Sequence, residues 1–291
     1  MAVALAALVA LLGAPRAPAA PRAIPATTTP LLVGVNAVHR PGHDEVVFRF
    51  TGGIPSRRTV RYVTQLIADP SGRRVPIAGR AILNVSFFRA AAHTAAGRVT
   101  APGRAAFALP NVMSVVRAGD FESVVSYGIG LAKRTPFHVS VLSRPHRVVV
   151  DVSASFATVL RRVYLFSPRR FAANRQPFVT AVSRPVLPGT PATGLMDRLF
   201  AGPTAGEKAA GLALLSSRAT GFSDLSVRDQ VARVRLTGGC SSGGSTSSIA
   251  QEIMPTLKQL ARVRYVKIYD PAGHTEHPAG RSDSIPFCLE P

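Results

Sequence analysis

The run Gly239-Cys240-Ser241-Ser242-Gly243 reads G-x-S-x-G, the spacing that presents a serine nucleophile on a sharp strand-to-helix turn. Such a serine needs a histidine to take its proton and a carboxylate to orient that histidine. Asp270, His274, His277 and Asp283 follow in nearly that order. The surrounding pattern argues against this chemistry. The next helix signal begins only at Ser248, and too little chain remains downstream to build a hydrolase sheet. Cys240, beside the serine, is expected in a disulfide. A serine hydrolase using Ser241 is therefore the secondary reading, and no residue is assigned a catalytic role.

The same Gly/Ser loop offers backbone N–H groups of the kind that hold phosphate at a helix N-terminus. It lacks the lysine of G-x-x-x-x-G-K-[ST], which excludes a nucleotide P-loop and leaves a solvated loop as the better reading. Gly128-Ile129-Gly130 has no third glycine in register and reads as a β-turn. His274 and His277, with Asp270 or Glu276, are metal-ligand types, but they sit in a Pro/Gly tail that reads as solvated. No metal and no cofactor is expected. Arginines cluster at Arg57-Arg58-Arg61, Arg73-Arg74, Arg161-Arg162 and Arg169-Arg170. Guanidinium forks hold carboxylates and phosphates bidentately, so Arg57, Arg58, Arg61, Arg73 and Arg74 are the candidate polyanion-binding residues. An ordinary charged face is the competing reading for any one cluster.

The charge balance supports a polyanionic partner in general. The chain carries 35 Lys and Arg against 15 Asp and Glu, a formal net charge of +20, and only four of the basic residues are lysine. The excess is spread over both halves, +11 from Ala20 to Ser155 and +8 from Phe156 to Pro291, so no basic arm holds it. Trp is absent, and Tyr and Phe fall mostly within strand patterns, which argues against single-stranded nucleic acid. The N-terminal stretch Met1–Gly13 is apolar but shorter than the roughly 20 residues a bilayer span needs. An Ala17-Pro18-Ala19 cleavage pattern follows it, then a Pro/Thr-rich stretch to Pro30. This reads as a signal peptide over residues 1–19 and a linker over 20–30, with no transmembrane helix in the mature chain. The protein is expected outside the membrane, extracellular or attached to the wall. Two cysteines in an oxidising compartment predict a single Cys240–Cys288 bridge, against the alternative of two separate buried thiols.

Two element patterns follow. Across residues 31–153, short alternating runs (DEVVFRF, TVRYVTQLI, AILNVSFF, VMSVVR, FHVSVL, RVVVDV) are punctuated by turn residues at Thr51-Gly52-Gly53, Asp69-Pro70-Ser71-Gly72, Gly119-Asp120 and Ser143-Arg144-Pro145. They predict an all-β domain, a sandwich or open barrel. Residues 90–104, rich in Ala, Gly and His, read as a surface loop. Residues 160–291 alternate element types in the order β-β-α-β-β-α-β, an α+β domain with a C-terminal tail. Thr190-Pro191 starts its first long helix, with Leu195, Met196, Leu199 and Phe200 as the apolar stripe. A short helical stretch follows near residues 205–212. Asp229-Gln230 turns a hairpin, and Ser248-Ile249-Ala250-Gln251 reads as a capping box for a helix to Ala261 with Ile249, Ile253, Leu257 and Leu260 inward.

Residues 33–152, through HDEVVFRF, VRYV and the long AGDFESVVSYGIGLAKRTPFHVSVLSRPHRVVVDV, resemble the AMIN-like domain of actinobacterial exported proteins. Residues 163–269 resemble the GerMN module of sporulation and spore germination, through VYLF, LFAGPTAGEKAAGL, DLSVRDQVARVRL and VRYVKIYD. The Cys240 loop and the tail after Asp270 depart from that pattern. The resemblance implies a non-catalytic, envelope-associated binding or scaffold protein. Its expected partner is an anionic wall polymer or peptidoglycan, or an envelope protein.

Overall fold

The computed structural model describes residues 29–291. The expected signal peptide at 1–19 and the linker up to residue 28 lie outside the described residues. The first domain is a sandwich of two antiparallel sheets. One sheet has the order β1-β2-β9-β8, from Leu31–Arg40, His43–Thr51, His146–Ser153 and Phe137–Ser143. The other has the order β3-β4-β7-β6-β5, from Arg57–Val63, Ala81–Phe88, Val124–Leu131, Val112–Phe121 and Arg104–Ala106. Alternation decides the packing: Val46, Phe48 and Phe50 face inward from β2, and Leu83, Val85 and Phe87 from β4. Phe48 meets Phe87 and Tyr127 edge to face, with ring centroids 5.0 and 5.7 Å apart.

Three glycines taken as turn residues act differently. Gly119 lies inside β6, and the turn itself falls at Glu122-Ser123, both at positive φ. Gly128 and Gly130 lie inside β7. A Cβ on Gly130 would stand 2.1 Å from the Ala78 carbonyl oxygen, and one on Gly128 would stand 2.5 Å from Leu66. A Cβ on Gly119 would meet Asp69 at 3.0 Å. Together they clear a strip on which the segment between β3 and β4 lies flat, with Leu66 over Val116 and Ala118. These glycines serve close approach rather than chain reversal. Residues 90–104 are irregular as expected, yet they are not simply surface: Ala90, Ala92 and Ala101 belong to the sandwich core, and Ala91 hydrogen-bonds back to Leu32 of β1 and to Pro30 before it.

The second domain is α+β. Strands β10 (Val159–Phe166) and β11 (Val179–Val186) pair antiparallel, with the short helix α1 (Pro168–Ala172) between them. Helix α2 (Pro191–Ala201) and short α3 (Ala205–Ala209) lead to the hairpin β12 (Gly221–Arg228) and β13 (Val231–Thr237). Helix α4 (Ala250–Lys258) then crosses to β14 (Tyr265–Tyr269), which pairs parallel with β13. Pro191 opens α2 although Thr190 makes no side-chain cap bond. The expected capping box at Ser248 is not formed: Ile249 caps α4, and its N–H is taken by Ser217 Oγ at 3.0 Å. The missing signal was nearby, since Thr204 and Glu207 form a full capping box at α3.

Helix α4 carries two stripes. Ile249, Ile253 and Leu257 are fully buried, as its periodicity predicts. A second, polar stripe faces the open edge of β10. Glu252 Oε1 accepts the Phe166 N–H at 2.8 Å, Thr256 Oγ1 accepts Tyr164 N–H at 3.1 Å, and Gln259 Oε1 accepts Arg162 N–H at 2.9 Å. The helix thus stands in for a neighbouring strand and satisfies alternate edge donors.

The tail after β14 is mostly exposed over residues 271–281, as expected for a solvated tail, but its last part docks on the domain. The Lys267 ammonium is fully buried and donates to the carbonyls of His277 and Ala279, and residues 266–268 exchange backbone hydrogen bonds with Ser284. Cys240 and Cys288 form a disulfide, with Cα atoms 5.7 Å apart. Sequence patterning missed this docking because the tail has Pro and Gly but no periodic stripe. A buried cation held by carbonyls leaves no period to read.

Candidate functional site

The domains share a charged seam. Helix α2 is buried on every side from Leu195 to Ala201, so its Asp197-Arg198 pair is buried with it. Arg198, fully enclosed, reaches into the first domain and donates to the carbonyls of Phe107, Leu109 and Pro110, with Val112 O at 3.4 Å. Behind the same loop, the buried Asp44 carboxylate accepts the N–H groups of Asn111 and Val112 at 2.7 and 2.8 Å. The loop over 107–112 is therefore held between a cation on its carbonyl side and an anion on its amide side. Desolvation, with Arg184 nearby, pulls the Arg198 pKa down to about 9. Arg184 is itself buried against Glu207 through two hydrogen bonds of 2.7 and 2.5 Å.

Beside this seam lies a cleft of about 870 Å³ lined by both domains. Its floor holds a bidentate pair, Arg80 Nε and Nη2 to Asp197 at 2.7 and 2.5 Å. That hydrogen bonding raises the Arg80 pKa, so its guanidinium stays charged. Arg80 lies 5.1 Å from the Phe222 ring centroid, and Phe222 stacks on Phe200 at 5.9 Å. On the facing wall, Arg134 sits 4.4 Å from the Tyr62 ring centroid. Tyr62 is anchored by its hydroxyl, which donates to Thr135 O at 2.5 Å and accepts Thr135 N–H at 3.0 Å. Arg74, Thr64, Thr220, Ser223 and Thr237 add to the polar lining. Three guanidiniums and one already neutralised carboxylate make a cleft that attracts anions, with Arg80 and Arg134 each seated over an aromatic ring.

The sequence candidates divide. Arg74 lines this cleft, and Arg73 precedes it in the exposed segment laid over the sheet. Arg57, Arg58 and Arg61 are exposed on edge strand β3, whose far end delivers Tyr62 to the cleft. Strand alternation separates them: Arg57 and Arg61 share the outer face, with Arg57 over Phe88, while Arg58 points to the other side. The other two clusters have local duties; Arg170, for instance, donates to Gln176 and Pro177 carbonyls. Arg80, Arg134 and Tyr62 were not singled out, because each is an isolated residue in sequence and only the domain contact assembles them.

The G-x-S-x-G loop has no elbow geometry. Ser241 N–H donates to Ser217 O at 2.9 Å and its Oγ accepts Gly243 N–H at 3.1 Å, while Ser242 N–H bonds Cys288 O at 2.7 Å. Asp270 is engaged by the His274 amide at 2.8 Å within its own turn, and Asp283 by Val266 N–H and Lys258. Loop and tail stitch each other together through these bonds, with Ser242 Oγ donating to Glu290 O as well.

Among the described residues no helix is long and apolar enough to cross a membrane. A family model described as an AMIN-like domain matches residues 30–154, and one described as sporulation and spore germination (Germane) matches residues 162–269. No curated protein and no solved structure gives a match. The boundary between the two matches falls where β9 ends and β10 begins, and the two cores meet through α2. The chain is an AMIN-like domain followed by a sporulation and spore-germination (GerMN) domain, an architecture consistent with a non-catalytic role at the cell envelope.

Proposed function

We propose that the protein is exported and works outside the membrane as a non-enzymatic binding protein, seating an anionic wall polymer in the cleft between its domains. The observation that carries this reading is the cleft's charge: Arg74, Arg80 and Arg134 surround Asp197 as the lone carboxylate, and Arg80 already neutralises it. AMIN-like domains are generally associated with peptidoglycan binding, which agrees with a ligand of linked sugars bearing carboxylates. Exposed β3 arginines extend the same positive surface and add weak, screened contacts.

The test is sedimentation of the mature protein with purified cell wall. It is expected to pellet at low salt and to be released toward about 1 M salt, where screening acts over about 3 Å. Replacing Arg74 and Arg134 by Ala should reduce pelleting roughly tenfold, from two exposed contacts of up to about 1 kcal/mol each. Failure to pellet at low salt overturns the polymer reading and makes an envelope protein the better partner. Fluorophosphonate labelling that disappears in Ser241→Ala would overturn the non-enzymatic part.

A further inference from the structure

On the outer face of the four-stranded sheet, the register gathers metal-ligand chemistry. Glu45 on β2 stands directly opposite Asp151 on β9, and His43 lies two residues from Glu45 on the same face. On the other flank of Asp151, β8 places His138 directly opposite it. Ligand atoms of His43, Glu45 and Asp151 all lie within 4.8 Å of one another, and each residue is partly buried.

Two features of this grouping favour a cation: the carboxylates face each other, and the imidazole is oriented toward them. Like charges directly opposite across strands repel, and Glu45 faces Asp151 in a chain with only 15 acidic residues. Arg40 Nε, 3.5 Å from Glu45, offsets one of these charges only. The second feature is the imidazole. His43 Nδ1 lies 3.3 Å from the Pro41 carbonyl, which can only accept, so Nδ1 carries the proton. The other ring nitrogen, Nε2, is thereby turned toward Asp151 Oδ1, 3.7 Å away. A histidine whose other nitrogen donates to a backbone carbonyl is the arrangement that orients a metal ligand.

We propose that His43, Glu45 and Asp151 bind a zinc ion on this sheet face, with His138 swinging in as the fourth ligand. Imidazole with carboxylates selects zinc over magnesium or calcium, which take all-oxygen sets. Tetrahedral bonds of about 2.1 Å hold ligand atoms about 3.4 Å apart, a contraction that side-chain rotation supplies on a strand surface. The ion would staple β2, β9 and β8 together from outside, leaving the cleft untouched.

The test is calorimetric titration of metal-stripped, untagged mature protein with zinc chloride, and with magnesium chloride as control. The expected result is one zinc per chain, with magnesium at least about a hundredfold weaker. His43→Gln and Asp151→Asn should each weaken zinc binding by at least about tenfold, and His138→Ala by less. Arg40→Ala, which removes the competing cation, should tighten it. Each variant's far-ultraviolet dichroism is compared first, so that a folding loss is not read as a metal effect. Absence of zinc binding at millimolar concentration overturns the proposal. So does binding that survives both His43→Gln and Asp151→Asn, or that is lost instead on replacing His274 and His277.

Discussion

Arg198 is the residue on which the two domains most depend. Its four carbonyl contacts come from one loop of the other domain, and truncation would leave those acceptors without a charged donor inside a closed seam. Removing one member of a buried charged network costs about 3–5 kcal/mol. Arg198→Ala should therefore lower the unfolding free energy measured by urea denaturation by an amount of that order, while Arg134→Ala, at the exposed rim, should change it little. Glu252 makes a different prediction. Burial raises its pKa from 4.5 to about 8, although two backbone N–H groups hold the charged form. A folded-state pKa above the unfolded one means stability is fully present below about pH 4.5 and is lost as pH rises through about 8. Thermal denaturation across pH 5 to 9 should show that decline, and Glu252→Gln should remove it. Neither residue stood out in the sequence. A lone Arg or Glu inside an apolar helix reads as a solvated position until the partner that encloses it is known.

At the scale of elements, the periodic signals held and the punctuation misled. The alternating runs at β2 and β4 were legible as strands, and so was the 3.6-residue stripe of α4, because both patterns repeat. The glycines at 119, 128 and 130 read as turns, since a sequence carries no sign of the segment that later lies on them. The polar stripe Glu252, Thr256, Gln259 was likewise visible as spacing but not as an edge cap, because the need it meets belongs to β10. Gly130→Ala tests the glycine account. Its Cβ would collide with the Ala78 carbonyl, and overpacking of this kind costs about 1–3 kcal/mol. The variant should unfold at lower urea and release the Leu66–Gly79 segment to proteolysis. A variant as stable and as protease-resistant as the parent would remove the strip from the account.

For the whole molecule, the two-domain order was legible from the change in element pattern and from the stretches that carry the family resemblance. The cleft was not, because its arginines are scattered over both domains and only their contact makes a site. Of the arginine clusters singled out in the sequence, Arg74 alone reaches the cleft; the β3 group marks its approach. The claim that both domains together form the anion seat is most directly tested by hydrogen–deuterium exchange of the mature protein with soluble glycan fragments released from purified wall. Protection is predicted at once in residues 62–66 and 74–82 of the first domain and 220–223 of the second, and its loss in the Arg74→Ala, Arg134→Ala variant. Protection confined to the β3 outer face, or to the Ser241 loop, would contradict it.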